Sequence, residues 1–122
     1  METAIKNYIE ERIPELTGRL YPLFTTDLEG IRIAYTSTPI TGGHLKQNQM
    51  EFKVIGMDYD ETETVKQKLI TLLDKEEDEP FDLFQGIRFR CQVSGGGCLY
   101  QDGVDRYENT VLFLVDWRKI NG

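Results

Sequence analysis

The chain has 122 residues, of which 39% are hydrophobic and 29% are charged. These proportions are typical of a globular protein, and the length predicts one domain, residues 1–122, with a single core. The 21 Asp and Glu residues against 14 Lys and Arg give a formal net charge of −7, which opposes tight binding to a nucleic-acid backbone. No apolar run approaches the roughly 20 residues that span a bilayer, so we expect a cytoplasmic protein with no membrane partner.

The N-terminal segment predicts an amphipathic helix over residues 2–16. Apolar side chains recur there at three- and four-residue spacing, and charged residues occupy the other face. Pro14 predicts that the regular part ends near Arg12 or Ile13. An apolar segment over residues 19–26 follows, and we expect it to cross the end of a sheet as an extended strap.

Two strands are predicted next. Residues 31–38 alternate apolar with polar or small side chains and end before Pro39, and Met50–Met57 repeats the alternation. The polar segment between them, residues 41–48, predicts a long loop.

A second helix is predicted over residues 61–74, because the apolar period changes from two to 3.6. Asp60 with Glu63 three residues later has the spacing of a capping box. The acidic run 74–79 that follows predicts a solvated connection, or alternatively a contact for a basic partner.

The last third of the chain predicts two more strands. In the first, Ile87, Phe89, Cys91 and Val93 alternate with polar residues that include Arg88 and Arg90. In the second, residues 110–117, nearly every position is apolar, which is typical of a strand covered on both faces. A Gly- and Asp-rich loop over residues 94–106 is predicted between them.

The element order α-β-β-α-β-β predicts an α+β fold. The economical arrangement is an antiparallel or mixed sheet of about four main strands, with the two helices packed on one face so that both apolar stripes are buried. Arg88 and Arg90 would then lie on the opposite face of the sheet.

The segment CQVSGGGC, residues 91–98, suggests a phosphate loop, a metal or redox site, or a turn. A phosphate loop needs a Lys and a helix start after the glycines, and both are missing here. Structural zinc needs four ligands, and a disulfide between Cys91 and Cys98 is unusual for a cytoplasmic protein. The favoured interpretation is a buried Cys91 followed by a flexible loop whose glycines allow positive φ.

Other candidate sites also lack a specific spacing. The carboxylates near Asp58 fail the calcium-loop pattern, and His44, the only histidine, has no Ser or Cys motif beside it. We therefore predict no catalytic residue, cofactor or metal. The candidates that remain are contacts to other subunits or partners, which the sequence places at His44, Lys46, Arg88, Arg90, Gly95, Gly96, Gly97, Asp102 and Arg106.

The order of the segments resembles the tail terminator proteins of long-tailed bacteriophages and prophages, also called minor capsid or tail completion proteins. The resemblance is carried by an N-terminal helix, the apolar Leu20–Phe24, the strand IRIAYTSTP, a strand running into a helix in NQMEFKVIGMDYDETETVKQKLITLL, then RFRCQV and DRYENTVLFLVDW. It covers most of the chain as a pattern, without a diagnostic motif.

This resemblance implies a homo-oligomeric ring, six-fold in that family, at the head-proximal end of the tail tube in the virion. Such a ring contacts the tail tube protein and the head completion or stopper protein, and DNA passes through it without specific binding. The implied role is structural. Two alternatives remain: a head-tail adaptor or stopper protein, and a cytoplasmic ligand-binding regulatory domain with a ferredoxin-like sheet that uses Arg88 and Arg90 for an anion.

Overall fold

A computed structural model describes residues 1–23, 30–43 and 45–120 of the chain. Two helices and six strands follow one another in it, with a 3-10 turn at Pro14–Leu16 after the first helix. They are α1 (Glu2–Arg12), β1 (Leu20–Pro22), β2 (Arg32–Thr41), β3 (Lys46–Gly56), α2 (Tyr59–Leu73), β4 (Asp82–Phe84), β5 (Ile87–Gln101) and β6 (Arg106–Lys119).

All six strands belong to one mixed sheet in the order β1-β2-β3-β6-β5-β4. β1 runs parallel to β2, and every other neighbouring pair is antiparallel. The sheet curls into a half-barrel in which β3, β6 and β5 are the long central strands.

The core lies between the helices and the alternating inward side chains of the central strands. Ile5 and Ile9 of α1 and Leu69 of α2 are fully buried there. Phe52 of β3 and Phe113 of β6 meet edge to face with their ring centroids 5.8 Å apart, an arrangement that aromatic pairs prefer. The two helices and the long strands thus bury the apolar stripes that their sequence periods create.

The prediction of a four-stranded sheet with two helices on one face was wrong. The sheet has six strands, it curls into a half-barrel, and half of the residues are in strands. β1 and β4 have only three residues each, which is too short for an alternation to be recognised in a sequence. Their backbone pairing with β2 and β5 defines them instead.

The two long loops that the sequence predicts are mostly strand. β2 continues to Thr41 and β3 begins at Lys46, so little of the expected loop 41–48 remains, and His44 lies outside the described residues. In the segment 94–106, β5 continues to Gln101 and β6 begins at Arg106. Polar and glycine residues signal turns in a sequence, but cross-strand pairing keeps them extended here.

The predicted start of the second helix is also corrected. Asp58 is the N-cap of α2, and its side chain accepts a hydrogen bond from the Asp60 amide at 3.0 Å. Glu63 takes no part in a capping box, because its carboxylate accepts from Asn109 of β6. In the part of the chain that the structure describes, no helix is long and apolar enough to cross a membrane.

Candidate functional site

The distal half of the β5–β6 hairpin, residues 93–106, is exposed or half-exposed throughout, and we call it the distal hairpin. None of its residues is buried, although it is paired along most of its length. Four of its larger apolar side chains are exposed, namely Val93, Leu99, Tyr100 and Val104. Exposed apolar side chains that cluster on one element mark interaction surfaces.

A β-bulge separates the distal hairpin from the rest of β5. Val93 lies opposite Phe113, but Gly95 lies opposite Leu112, so Ser94 is an extra residue. The bulge reverses the alternation of the strand. Gly96, Cys98 and Tyr100 therefore lie on the same face of the strand as Cys91. Leu99 lies on the other face.

The sequence suggests that the three consecutive glycines allow positive φ in a loop, but in the structure they have other roles. None of them has a positive φ. A Cβ on Gly96 would lie 2.5 Å from the carbonyl oxygen of Thr110, so only glycine fits at this place. Gly97 has open space around it, and Gly95 has ordinary contact with Leu112.

The first turn of α2 fastens the base of the hairpin. Asn109 of β6 is buried and donates to the Glu63 carboxylate at 2.8 Å and to the Thr62 hydroxyl at 3.4 Å. The Asn109 hydrogen bond, followed by one from Gln67, lowers the pKa of Glu63 below its usual value. The charged form of Glu63 is thereby favoured.

Aromatic rings and a turn complete the structure of the hairpin. The Tyr107 ring lies between those of Tyr59 and Tyr100, with centroid distances of 5.8 and 4.9 Å. The Tyr100 hydroxyl donates to Asp105 at 3.0 Å, and this hydrogen bond raises the pKa of Tyr100. Arg106 donates to the carbonyl oxygens of Val104 and Asp105, so two of its hydrogen bonds serve the turn itself. The backbone is therefore held in place while the apolar side chains face outwards.

The predicted contact residues on the rest of the sheet divide into structural and exposed ones. Arg90 donates to the carbonyl oxygens of Glu77 and Glu79, forms an ion pair with Asp116 at 3.7 Å, and stacks on the Phe81 ring at 4.6 Å. It thus holds the acidic segment 74–79 against the sheet.

Arg88 and Lys46 differ from Arg90 in their surroundings. Arg88 is exposed and lies directly opposite Arg118 in the register of β5 and β6. The Lys46 ammonium lies over the Trp117 ring at 5.0 Å. Asp102 is exposed at the tip of the distal hairpin, far along the strands from these cations. The candidates therefore form no single cluster, and only the glycines, Asp102 and Arg106 lie in the distal hairpin.

The two cysteines are free and lie in different environments. Cys91 is buried, and burial raises the pKa of its thiol. Cys98 is exposed in the distal hairpin, seven residues further along the same strand, which is about 23 Å. A disulfide between them within one chain is therefore excluded by distance.

Two concave surfaces lie outside the distal hairpin. A groove of about 850 Å³ separates α1 from α2 and includes Tyr8, Arg12 and the Glu15–Lys68 ion pair at 2.6 Å. A smaller pocket of about 260 Å³ is lined by Leu45, Phe81, Arg88 and Arg118. Among residues 1–23, 30–43 and 45–120, no group of three or more His, Cys, Asp or Glu could hold a metal ion.

Comparison with known proteins shows the fold alone. No protein-family model and no curated protein matches the sequence. The chain is similar to a solved structure that carries no functional name: the two are 13% identical, the alignment covers 97% of this chain and 96% of that chain, and the TM-score is 0.64. The six-stranded fold therefore has a counterpart of nearly the same length.

Three apolar side chains that make the distal hairpin an exposed surface were not among the predicted contact residues. Leu99, Tyr100 and Val104 lie in a segment whose glycines and aspartates indicated a loop. One signal could have identified the strand: Asn109 to Val115 needs a long partner, and the uncharged segment Cys91–Cys98, which includes the three glycines, is the one that lies opposite it.

Proposed function

We propose that this chain is a structural subunit of a ring, a tail terminator that caps the head-proximal end of a phage or prophage tail tube and joins tail to head. The observation that carries the proposal is the distal hairpin, a fastened element with exposed apolar side chains. Ring subunits need such a surface, because each must meet a neighbour through contacts that the isolated chain leaves open. The order of the segments, which resembles that family, supports the same role.

The charge of the chain is consistent with this role. A net charge of −7 disfavours retention of the DNA backbone, as a channel for DNA requires. The proposed role is structural, so it requires no catalytic group in either concave surface. The role proposed is therefore non-enzymatic assembly in the virion, at the junction of tail and head.

The competing anion-binding role is less well supported than the sequence suggested. It relied on Arg88 and Arg90 acting together, but Arg90 is already engaged with Asp116 and two backbone carbonyl groups. Arg88 remains a candidate for binding an anion, but the arginine that lies opposite it is Arg118 and not Arg90.

Capping of tail tubes tests the proposal directly. Purified protein mixed with tail tubes should form rings at one tube end and stop elongation, as seen by negative-stain electron microscopy. Leu99→Glu places a charge on the distal hairpin, where the side chain is 66% exposed, and should abolish capping without unfolding the chain. Leu83→Glu is the matched control, since Leu83 is 59% exposed on β4, and it should cap normally.

Three outcomes would overturn the proposal. The first is that tubes elongate unchanged in the presence of the wild-type protein. The second is that Leu99→Glu and Leu83→Glu lose capping equally. The third is that the protein captures the portal complex and not tubes. The last of these would favour the adaptor or stopper role.

A further inference from the structure

The outer edge of β5 is covered along only part of its length. β4 pairs with the first residues of the strand, Ile87 to Phe89. The Lys75 amide then donates to the Cys91 carbonyl at 2.8 Å, and the Val93 amide donates to the Asp74 carboxylate at 3.0 Å. Beyond Val93, the segment 95–101 pairs with β6 on one side, and no strand among the described residues pairs with its other side.

The other edge of the sheet, where β2 extends beyond β1, is protected against the addition of a further strand. On either side of β1, the Ile33 amide donates to the Arg19 carbonyl and the Leu23 amide donates to the Tyr35 carbonyl. By alternation, the backbone groups of residues 37 and 39 face the same edge. Residue 39 is Pro, which has no amide to donate, and a bulge follows it. Proline and bulges are the usual devices that prevent strand addition.

On β5 the bulge at Ser94 lies before the segment 95–101 and leaves that segment extended, so only charge or proline within it could protect its edge. Residues 95–101 contain no charge and no proline in a chain in which 29% of the residues are charged. Two copies of a chain with a net charge of −7 repel each other over most of their surface. An uncharged edge is where a second copy can approach at the smallest electrostatic cost.

We propose that a second copy of this chain pairs with this edge through the same segment, antiparallel, about a two-fold axis at Cys98. Under such an axis, opposite residues share a face of the sheet, as strand pairing requires. Gly97 then lies opposite Leu99 of the other copy, and Gly96 lies opposite Tyr100. Leu99 thus covers the open place at Gly97, whereas at Gly96 the Lys66 ammonium already lies 3.5 Å from where a Cβ would be.

The two-fold register also limits the pairing to one partner. Both copies use the same edge, so the dimer leaves no free β5 edge to which a third copy could add. This inference does not depend on the proposed function, because it concerns the free chain.

Cys98 provides a probe of the register, because the axis brings it opposite itself. The free wild-type protein should sediment as a dimer at millimolar concentration. Diamide should then join the two copies: two Cys98 thiols become one disulfide, and diamide accepts the two electrons and two protons. Cys98→Ser should keep the non-covalent dimer and lose the covalent one, since Cys91 is buried.

Gly97→Lys provides the matching interface variant. Nothing lies within 4 Å of a Cβ at Gly97, so the monomer should fold, as checked by circular dichroism, while the edge gains a charge. The yield of covalent dimer should fall about tenfold or more. Gly42→Lys has equally open space at the opposite end of the sheet and should dimerise as wild type. Leu99→Lys is a second interface variant and should behave like Gly97→Lys.

Two results would overturn the proposal. One is a wild-type protein that sediments as a monomer at every concentration. The other is a dimer that forms no Cys98 disulfide and is unaffected by both lysine variants of the edge. Neither result bears on tube capping, so the failure of this proposal is distinguishable from that of the proposed function.

Discussion

At the scale of single residues, Gly96 and Gly97 show how neighbouring glycines in one strand differ. Gly96 allows the backbones of β5 and β6 to approach, because any Cβ there would lie 2.5 Å from the Thr110 carbonyl oxygen. Gly97 has no such neighbour. The first glycine is therefore a requirement of the fold, and the second leaves an open place on the surface.

Alanine at each position tests this difference. Gly96→Ala should lower the free energy of unfolding by about 2 kcal/mol, because the strands must shift to admit the methyl group. Gly97→Ala should change it by less than about 1 kcal/mol. Urea unfolding of both variants measures the difference, and equal effects would contradict the assigned role of Gly96.

Glu63 makes the stability of the hairpin base dependent on pH. Its pKa is lowered in the folded state by the Asn109 hydrogen bond, so its contribution is present above its ordinary pKa of 4.5 and is lost as the pH falls. Glu63→Gln should lower the free energy of unfolding by about 1 kcal/mol at pH 7. At acidic pH the Glu63 carboxyl is protonated and as neutral as the glutamine that replaces it, so the difference in stability between wild type and variant should disappear.

Urea unfolding at neutral and acidic pH measures this effect. Glu61→Gln, on an exposed position of the same helical turn, is the control and should show a smaller difference between the two conditions. A Glu63→Gln effect that stayed constant with pH would show that the charge of Glu63 is not involved.

At the scale of elements, β5 shows how far the sequence predicts this fold. The alternation predicted that Ile87, Phe89, Cys91 and Val93 share the buried face of the strand, and the first three are buried, but Val93 is exposed. The prediction failed from Val93 onwards, because a bulge at Ser94 reverses the alternation and the glycines after it stay extended. Such a bulge is fixed by pairing with β6, which no local pattern reveals.

The helices were easier to predict than the order of the strands. The stripe that contains Ile5 and Ile9 and the stripe that contains Leu69 follow from spacing alone. The parallel pairing of β1 with β2 and the position of β6 between β3 and β5 depend on contacts between distant segments. The exposed hairpin depends on such a contact too, so its glycines and Asp102 were named as candidate subunit contacts but were placed in a loop and not in a strand.

Asp74 marks the end of the covered part of β5, and its removal tests that boundary. Asp74→Ala removes the acceptor of the Val93 amide, so the exchange of that amide with solvent should become about tenfold faster. Hydrogen exchange followed by NMR measures this rate. Asp78→Ala, in the exposed acidic segment, is the control. An unchanged Val93 rate in Asp74→Ala would show that another group protects that amide.

At the scale of the whole molecule, the acidic surface sets the conditions for self-association. With −7 charges on each copy, repulsion opposes the proposed dimer, and salt screens it. The dissociation constant should therefore fall as the ionic strength rises from about 0.01 to 0.15 M, over which the Debye length shortens from about 30 to 8 Å. Sedimentation equilibrium measures this trend, and weaker association at higher salt would contradict an uncharged interface.

The two proposals concern different states of the same hairpin. In the free chain, a second copy covers the edge of β5 and leaves none for further addition. In the proposed ring, the exposed side chains of the same hairpin would contact neighbours or the tail tube. If both hold, the dimer must open before a ring forms, so the rate of capping should rise less than in proportion to the protein concentration once that concentration exceeds the dimer dissociation constant.

The central claim is that the distal hairpin is the surface through which this protein assembles. Hydrogen exchange of the protein bound to tail tubes, compared with the free protein at a concentration where it is monomeric, tests this claim most directly. We predict that the added protection is concentrated in the amides of residues 93–106, with little change in the α1–α2 groove. Protection confined to that groove or to the Arg88 pocket, with unchanged exchange in the distal hairpin, would contradict the claim.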